Sequence, residues 1–224
     1  MSTKIGLISD LHATLAPAQE ALRLLSEAGA DRILCAGDIA GYGAELDRTI
    51  ELLSAHGCEA IAGNHDLWYR QTIGNASADP LARLLGKLPA VIDTTIAGRS
   101  LYMVHASPPQ SCLDGIRLLD RHGNIIPEQR QAWSERLAGF GHDVLIVGHT
   151  HQVFAERLGD TLVINPGSTK FNHSCMLLSL PELKCTVIPL SGQGVVRAWN
   201  WGMETVNAAG KRGQSHATST SFSP

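Results

Sequence analysis

The sequence contains no apolar run that approaches the roughly 18 residues needed for a membrane-spanning helix. After Met1 the chain enters the strand-like segment 5–8, which is too short for the apolar core of a secretory signal peptide. Neither a membrane span nor an export signal is therefore predicted. We expect a cytoplasmic protein with no membrane partner.

Cysteine is infrequent, and its five copies form no Cys-x-x-Cys pair. An odd number of widely spaced cysteines argues against a disulfide framework and against a zinc ribbon. We expect reduced thiols, most of them buried in the core. The five positions are Cys35, Cys58, Cys112, Cys175 and Cys185.

The chain also lacks an excess of positive charge. It has 18 Lys and Arg against 21 Asp and Glu, and its net charge is -3. No general positive field therefore attracts nucleic acid, and the sequence carries no strong nucleic-acid signature. The 224 residues, 44% of them hydrophobic, suit one globular domain with a sizeable core.

Short apolar runs alternate with amphipathic stretches in the first third of the chain. Residues 4–8, 32–36 and 59–62 predict strands, and residues 17–28 and 45–56 predict helices. Strands that alternate with helices pair in parallel through right-handed crossovers. We therefore expect a β-α-β-α-β unit at the start of the fold.

The second half of the chain is richer in strands. Residues 90–96 and 100–105 flank Gly98 and predict a hairpin, and a helix is expected from Pro127 to about residue 138. Closely spaced strands then suggest a second, mixed sheet packed on the first, with helices outside. These strands are predicted near residues 144–147, 152–157, 161–164, 175–180 and 184–190.

The C-terminal region divides into two parts. Val195, Arg197, Trp199 and Trp201 alternate like one face of a strand, for which we favour a packed or edge strand over an aromatic binding platform. Beyond them the chain is rich in Ser, Thr and Gly and has no apolar periodicity. We predict one domain over residues 1–203 and a flexible tail over 204–224.

Polar side chains follow the predicted strands at five places along the chain. One such motif alone would be explained by satisfied histidines or by turn-capping Asp and Asn residues. Five motifs at strand ends instead favour a shared site of oxygen and imidazole ligands. The motifs contain Asp10 and His12, then Asp38, then Asn64, His65 and Asp66, then His105, and finally His149 and His151.

The order and spacing of these motifs resemble the calcineurin-like metallophosphoesterase superfamily, from Ile5 to about Phe171. The turn at residues 165–168 also matches, and the Gly-rich segment 37–43 is similar to the small prokaryotic branch of stand-alone phosphoesterases. The resemblance implies an α/β fold, a four-layer α/β/β/α sandwich of two mixed sheets flanked by helices. It also implies a small phosphoester as the substrate.

The resemblance further implies a site for two divalent metal ions. Mixed oxygen and nitrogen ligands without thiolate indicate Mn, Fe or Zn, of which we favour Mn. A hydroxide that bridges the ions would attack phosphorus in line, and His65 would act as a catalytic group outside the ligand shell. One ion would be held by Asp10, His12 and His151, the other by Asn64, His105 and His149, with Asp38 between them.

One departure bears on the substrate. Protein phosphatases of the superfamily carry an Asp-Arg pair where this chain has Gly41 and Tyr42. Because that arginine binds a monoester phosphate, its loss favours phosphodiesters. A phosphomonoesterase or nucleotide phosphatase, a non-catalytic metal-binding scaffold and a nuclease remain alternatives.

Three residues of the third motif and the segment after it have two interpretations each, and two arginines are candidates for one further role. Asp66 could orient His65, but we favour a helix-capping role. Trp68 and Tyr69 could stack on a substrate ring, but we favour packing of the following helix. Arg70 or Arg117 could replace the missing arginine.

Overall fold

A computed structural model describes residues 2–198 and the backbone of residues 221–222. The chain forms two mixed β-sheets packed face to face, with helices on both outer faces. This arrangement confirms the predicted α/β/β/α sandwich. Among the described residues, no helix combines the length and apolar character needed to cross a bilayer.

The first sheet carries the β-α-β-α-β unit predicted from the N-terminal third. Its strand order is β11-β10-β9-β1-β2-β3, with β1, β2 and β3 parallel and β9 antiparallel to β1. The elements of this half are β1 (Thr3–Ile8), α1 (Leu15–Glu27), β2 (Arg32–Cys35), α2 (Leu46–Ala55), β3 (Glu59–Ala60), α3 (Asn64–Thr72) and α4 (Pro80–Leu85).

The second sheet begins with the predicted hairpin. Its strand order is β4-β5-β6-β8-β7, and Ala97 and Gly98 make the β4–β5 turn with φ of 49° and 76°. The remaining elements are β4 (Val91–Ile96), β5 (Arg99–Val104), α5 (Pro127–Arg136), β6 (Val144–Ile146), β7 (Val153–Leu158), β8 (Thr161–Pro166), β9 (Ser174–Leu180), β10 (Lys184–Pro189) and β11 (Ser221–Phe222).

Three apolar clusters hold the layers together. The central cluster lies between the sheets and includes Leu7 and Leu178 from the first and Met103 and Ile164 from the second. A second cluster joins α1, α2 and α4 to the outer face of the first sheet, and a third joins α5 to the second sheet. Burial of this apolar area is the main favourable term in folding.

The region after β10 differs from the prediction. Residues 191–198 form no strand, although the Arg197 carbonyl accepts a hydrogen bond from Val153 N–H. The predicted strand is therefore wrong for Val195 and Arg197, while Trp199 and Trp201 lie outside the described residues. Most of the predicted tail over 204–224 also lies outside them, and Ser221–Phe222 pairs with β10.

Candidate metal centre

The predicted ligands lie in loops that follow strands of both sheets. β1 leads to Asp10, β2 to Asp38, β5 to His105 and β6 to His149. Backbone hydrogen bonds join these loops: Asp10 N–H donates to Gly37 O at 3.0 Å and Gly148 N–H to His105 O at 2.8 Å. The two sheets therefore bring their polar loops to one edge of the sandwich.

Five predicted ligands have left-handed backbone conformations, which non-glycine residues rarely adopt. The conformation costs about 1–2 kcal/mol per residue, although Asp and His tolerate it better than most. Such strain concentrates at functional sites, where the surrounding structure enforces it. The φ angles are 53° at Asp10, 51° at His12, 54° at Asp38, 64° at His149 and 47° at His151.

One group of converging ligand atoms contains Asp10, His12 and His151. Their donor atoms all lie within 4.8 Å of one another, and all three residues are buried. The Nε2 atoms of His12 and His151 are 2.9 Å apart, and His151 Nε2 lies 3.4 Å from Asp10 Oδ1. The two imidazoles therefore direct ring nitrogens at the same small volume.

A second group contains Asp38, His105 and His149, again with donor atoms within 4.8 Å. Asn64 belongs with it, because its Oδ1 lies 3.1 Å from His105 Nε2 and 2.8 Å from His149 Nδ1. Asp38 also forms a group with His12 and His65. Asp38 therefore lies between the two sets of ligands, in the position predicted for a shared carboxylate.

Hydrogen bonds from the backbone fix the orientation of several of these side chains. His105 Nδ1–H donates to Ala36 O at 2.6 Å, which leaves Nε2 directed at Asp38 and Asn64. His149 N–H lies 3.1 Å from both Asp10 carboxylate oxygens. Backbone contacts of this kind preorganise a site before it is filled.

Asp66 is buried beneath the site as a cap. One carboxylate oxygen accepts a hydrogen bond from Gly63 N–H at 2.8 Å and the other from Ala40 N–H at 2.7 Å. Asp66 thereby joins the start of α3 to the loop after β2. The helix-capping interpretation of Asp66 is confirmed.

Burial and neighbouring charges shift the pKa values of several groups in the site. Burial opposes ionisation of Asp10, but the His151 charge and hydrogen bond bring its pKa well below the usual range. Burial lowers the pKa of His12 to about 4. For His105 burial also acts to lower the pKa, but the charge and hydrogen bond of Asp38 outweigh it and raise the pKa to about 10.

Glycines make room for these side chains. A Cβ on Gly37 would lie 2.8 Å from His105 Nδ1, a distance that real Cβ atoms do not show. A Cβ on Gly63 would collide with Asp38 Oδ1, and one on Gly41 would collide with His12 Nδ1. The glycines in the sequence motifs therefore permit the close approach of the candidate ligands.

The donor set fits divalent metal ions. Facing imidazole nitrogens at 2.9 Å can share at most one proton, whereas a cation can accept a lone pair from both. The other donors are two carboxylates, one amide oxygen and the imidazoles of His105 and His149, with no thiolate. Such mixed oxygen and nitrogen sites suit Mn, Fe or Zn.

Aromatic residues that the sequence did not reveal as a group surround the histidines. Tyr42 contacts His12 with ring centroids 4.7 Å apart, and Phe171 stacks on His151 at 5.2 Å. Trp68 contacts His65 at 4.9 Å and is 45% exposed, so the prediction that it packs its helix is wrong. Tyr42 and Phe171 lie outside helices and strands, where no periodic signal would have placed them beside the histidines.

Two neighbours on α3 have roles apart from the ligands. Tyr69 is half-buried and packs against the apolar cluster beneath the helices, as predicted. The Arg70 guanidinium lies against Gly86. A Cβ on Gly86 would lie 2.9 Å from the guanidinium carbon, so the glycine leaves space for it. Arg70 therefore packs against the end of α4 and does not replace the missing arginine.

A model of the calcineurin-like phosphoesterase superfamily domain matches residues 3–180. Protein MJ0912 of Methanocaldococcus jannaschii is 26% identical, over 75% of this chain and 70% of its own. Phosphodiesterase YfcE of Escherichia coli K12 is 25% identical, over 86% of this chain and 95% of its own.

The fold itself is also found in solved structures. Protein PH1004 of Pyrococcus horikoshii OT3 superposes with a TM-score of 0.66 at 18% identity, and the alignment covers 84% of this chain and 88% of that one. At this identity the likeness concerns the fold alone. From the match over residues 3–180, we conclude that the chain belongs to the calcineurin-like phosphoesterase superfamily.

Proposed function

We propose that the chain is a metal-dependent phosphoesterase that hydrolyses small phosphodiesters. The observation that carries the proposal is the convergence of the ligand groups, each with donor atoms within 4.8 Å, in which Asp38 shares one group with His105 and His149 and another with His12 and His65. The name of the Escherichia coli relative, a phosphodiesterase aligned over 95% of its length, supports the same reaction.

The ligand groups suggest how two ions would be held. When bound, two divalent ions supply Lewis-acid activation of water and of the phosphoryl oxygens. The oxygen and nitrogen donors suit Mn, Fe or Zn, and among these we propose manganese. One ion would be held by Asp10, His12 and His151, the other by Asn64, His105 and His149, and Asp38 would be shared.

His65 is the residue that we assign to proton transfer. Its backbone N–H donates to Asp38 Oδ1 at 2.8 Å, which positions the start of α3 against the shared carboxylate. Its half-buried imidazole lies beside His12, with ring centroids 4.8 Å apart, and reaches the rim of the site. Burial lowers the pKa of His65, so its imidazole is mainly neutral at pH 7, and the minor imidazolium form would be the acid that protonates a leaving oxygen.

The loop after β2 supports diesters over monoesters. Any side chain at position 41 would collide with the His12 ring, and Tyr42 packs on His12 and His65 where the phosphatases carry arginine. A monoester dianion gains most from a bidentate arginine. A diester carries one negative charge and depends less on that contact.

The cysteines support a reducing compartment. All five are free, and Cys35, Cys175 and Cys185 are buried. Disulfides form in exported proteins and are rare in the cytosol. We therefore also propose that the protein acts in the cytoplasm.

The proposal is tested with His65→Ala. Mn²⁺-dependent turnover of bis-p-nitrophenyl phosphate should fall by about a hundredfold or more, the usual scale for an acid catalyst. Bound metal, measured by mass spectrometry, should stay at the wild-type level because the His65 side chain is outside the assigned ligand set.

His56→Ala is the matched control, because His56 is an exposed histidine at the end of α2 and should leave turnover unchanged. Unchanged turnover in His65→Ala would contradict the assigned role. Faster hydrolysis of p-nitrophenyl phosphate than of the diester would contradict the diester preference. Metal binding without turnover would favour the non-catalytic metal-binding scaffold.

A further inference from the structure

Exposed apolar side chains are concentrated near the candidate metal centre. Among the described residues, the large exposed ones are Tyr42 at 52%, Trp68 at 45%, Leu84 at 45% and Leu113 at 58%. Tyr42 and Trp68 both contact His65, and the Leu113 backbone hydrogen-bonds His149. Exposed apolar groups that gather around a polar site mark a binding surface more often than chance.

The two exposed aromatic rings lie against one imidazole. The centroid of His65 is 4.8 Å from that of Tyr42 and 4.9 Å from that of Trp68, with interplanar angles of 62° and 61°. Tyr42 comes from the loop after β2, and Trp68 comes from α3. Trp68 contacts His65 as an i,i+3 neighbour on α3, whereas Tyr42 is brought to the same imidazole by tertiary folding.

Neither ring contributes its area to the apolar core. Tyr69 on the same helix packs into the cluster beneath α1, α2 and α4, whereas Trp68 is directed away from it. Leaving about half of each ring in water forgoes hydrophobic stabilisation. The two rings instead offer π faces next to the group that we assign to proton transfer.

We propose that Tyr42 and Trp68 bind a planar aromatic substituent of the phosphoester substrate, a nucleobase or an aryl group, by stacking beside His65. This inference rests on the proposed function, because His65 and the ligand groups define where the phosphate lies. Stacking of a base on an aromatic side chain is tolerant of base identity. The two rings would thus select for a flat substituent without selecting one base.

The test compares ligands in matched pairs, by isothermal titration calorimetry with the Mn²⁺-loaded protein. AMP is paired with ribose 5-phosphate, and phenylphosphonate with methylphosphonate, so that each pair differs in its aromatic ring. The aromatic member should bind about fivefold more tightly or better, since base stacking contributes roughly 1–3 kcal/mol. In Tyr42→Leu and Trp68→Leu this ratio should fall toward one, while ribose 5-phosphate binds as in wild type.

Two further variants make the result specific. Trp68→Phe keeps a ring and should retain most of the ratio. Trp133→Leu removes a tryptophan on α5, where Arg136 stacks on it, and should leave the ratio unchanged. An affinity ratio above one in the AMP pair alone indicates that the rings bind a nucleobase. A ratio above one in the phosphonate pair alone indicates that they bind an aryl group. Both support the proposal.

Equal affinities within both pairs in the wild type, or ratios that survive both leucine variants, would overturn the inference. Turnover of bis-p-nitrophenyl phosphate by the same preparation separates the two hypotheses. Metal-dependent turnover without tighter binding of the aromatic ligands would contradict only the proposed stacking site and not the proposed function. Absence of metal-dependent turnover counts against the proposed function, whatever the binding ratios are.

Discussion

His105 shows how single residues prepare the site for metal. Its Nδ1–H is held by the Ala36 carbonyl, and its Nε2 lies 3.4 Å from Asp38 Oδ1. In the metal-free protein this contact retains a proton, because the pKa of His105 is raised to about 10. The proton occupies the position that a cation would take between the same two atoms.

Metal binding should therefore release the His105 proton. Below pH 10 the metal-free protein carries this proton, so metal affinity should rise with pH, by up to about tenfold per unit. Calorimetry with Mn²⁺ at pH 7.5, in buffers of different ionisation enthalpy, should detect about one proton released from this site. His12, whose pKa is lowered to about 4, adds none.

His105→Gln is the informative comparison, because it should lower proton release by about one per protein. Wild-type binding without proton release would contradict the Asp38–His105 pairing. The same raised pKa contributes to stability of the metal-free fold below pH 6.5, and this contribution is lost as the pH rises through 10.

At the residue scale the sequence predicted which ligands would meet and missed what surrounds them. Asp10, Asp38 and His105 each follow an apolar run, and the ends of paired strands converge at one sheet edge. Tyr42 and Trp68 lie in no apolar pattern. Tyr42 reaches His65 only through the path of the loop after β2, which no local signal encodes, whereas Trp68 contacts His65 from three residues further along α3.

At the scale of elements, the conformation of the site loops depends on glycines, which leave space for the candidate ligands. Gly63 precedes α3 with an ordinary φ of -103°, so it is required here for space and not for a left-handed conformation. Asp38 Oδ1 occupies the space where its Cβ would lie, and the same oxygen accepts the His65 N–H.

Gly63→Ala should displace Asp38 and with it the start of α3. We expect a loss of about 1–3 kcal/mol in the free energy of unfolding, the usual cost of overpacking, and a lower Mn²⁺ affinity. Urea denaturation and metal titration measure the two effects. Gly74→Ala is the matched control, because nothing lies within 4 Å of its Cβ position. Equal effects of both substitutions would argue against a steric role for Gly63.

The long helices α1 and α2 were predicted from the sequence, whereas the short helix α4 and the irregular segment after β10 were not. α1 and α2 span 13 and 10 residues, enough for a helical pattern to be read. α4 has only six residues and was missed, although Asp79 caps it through Ala82 N–H at 2.6 Å and Pro80 begins it. Residues 195–198 alternate without forming a strand, because backbone partners and not side-chain alternation decide the ladder.

At the scale of the whole molecule, the two sheets share one apolar interior. Leu7, Leu178, Met103 and Ile164 belong to the same central cluster. β10 pairs with β9 over six residue pairs, whereas β11 pairs with β10 over two. The proposed domain of residues 1–203 contains every described strand except β11.

Deletion of residues 204–224 should change the free energy of unfolding by less than about 2 kcal/mol, because cross-strand pairs contribute roughly 0.2–1 kcal/mol each. Denaturation by urea measures the change. Deletion of residues 184–224 removes β10 as well and should prevent stable folding. Loss of the fold in the shorter deletion would mean that residues 204–224 are part of the domain.

The origin of the ligands in both sheets has a consequence for biosynthesis. A nascent chain that has emerged through α3 already contains Asp10, His12, Asp38 and Asn64, but not the imidazoles of His105, His149 and His151. We expect such an intermediate to retain cations only weakly, since it holds just one of the four imidazoles assigned to the two ions. Full metallation should therefore follow docking of the second sheet.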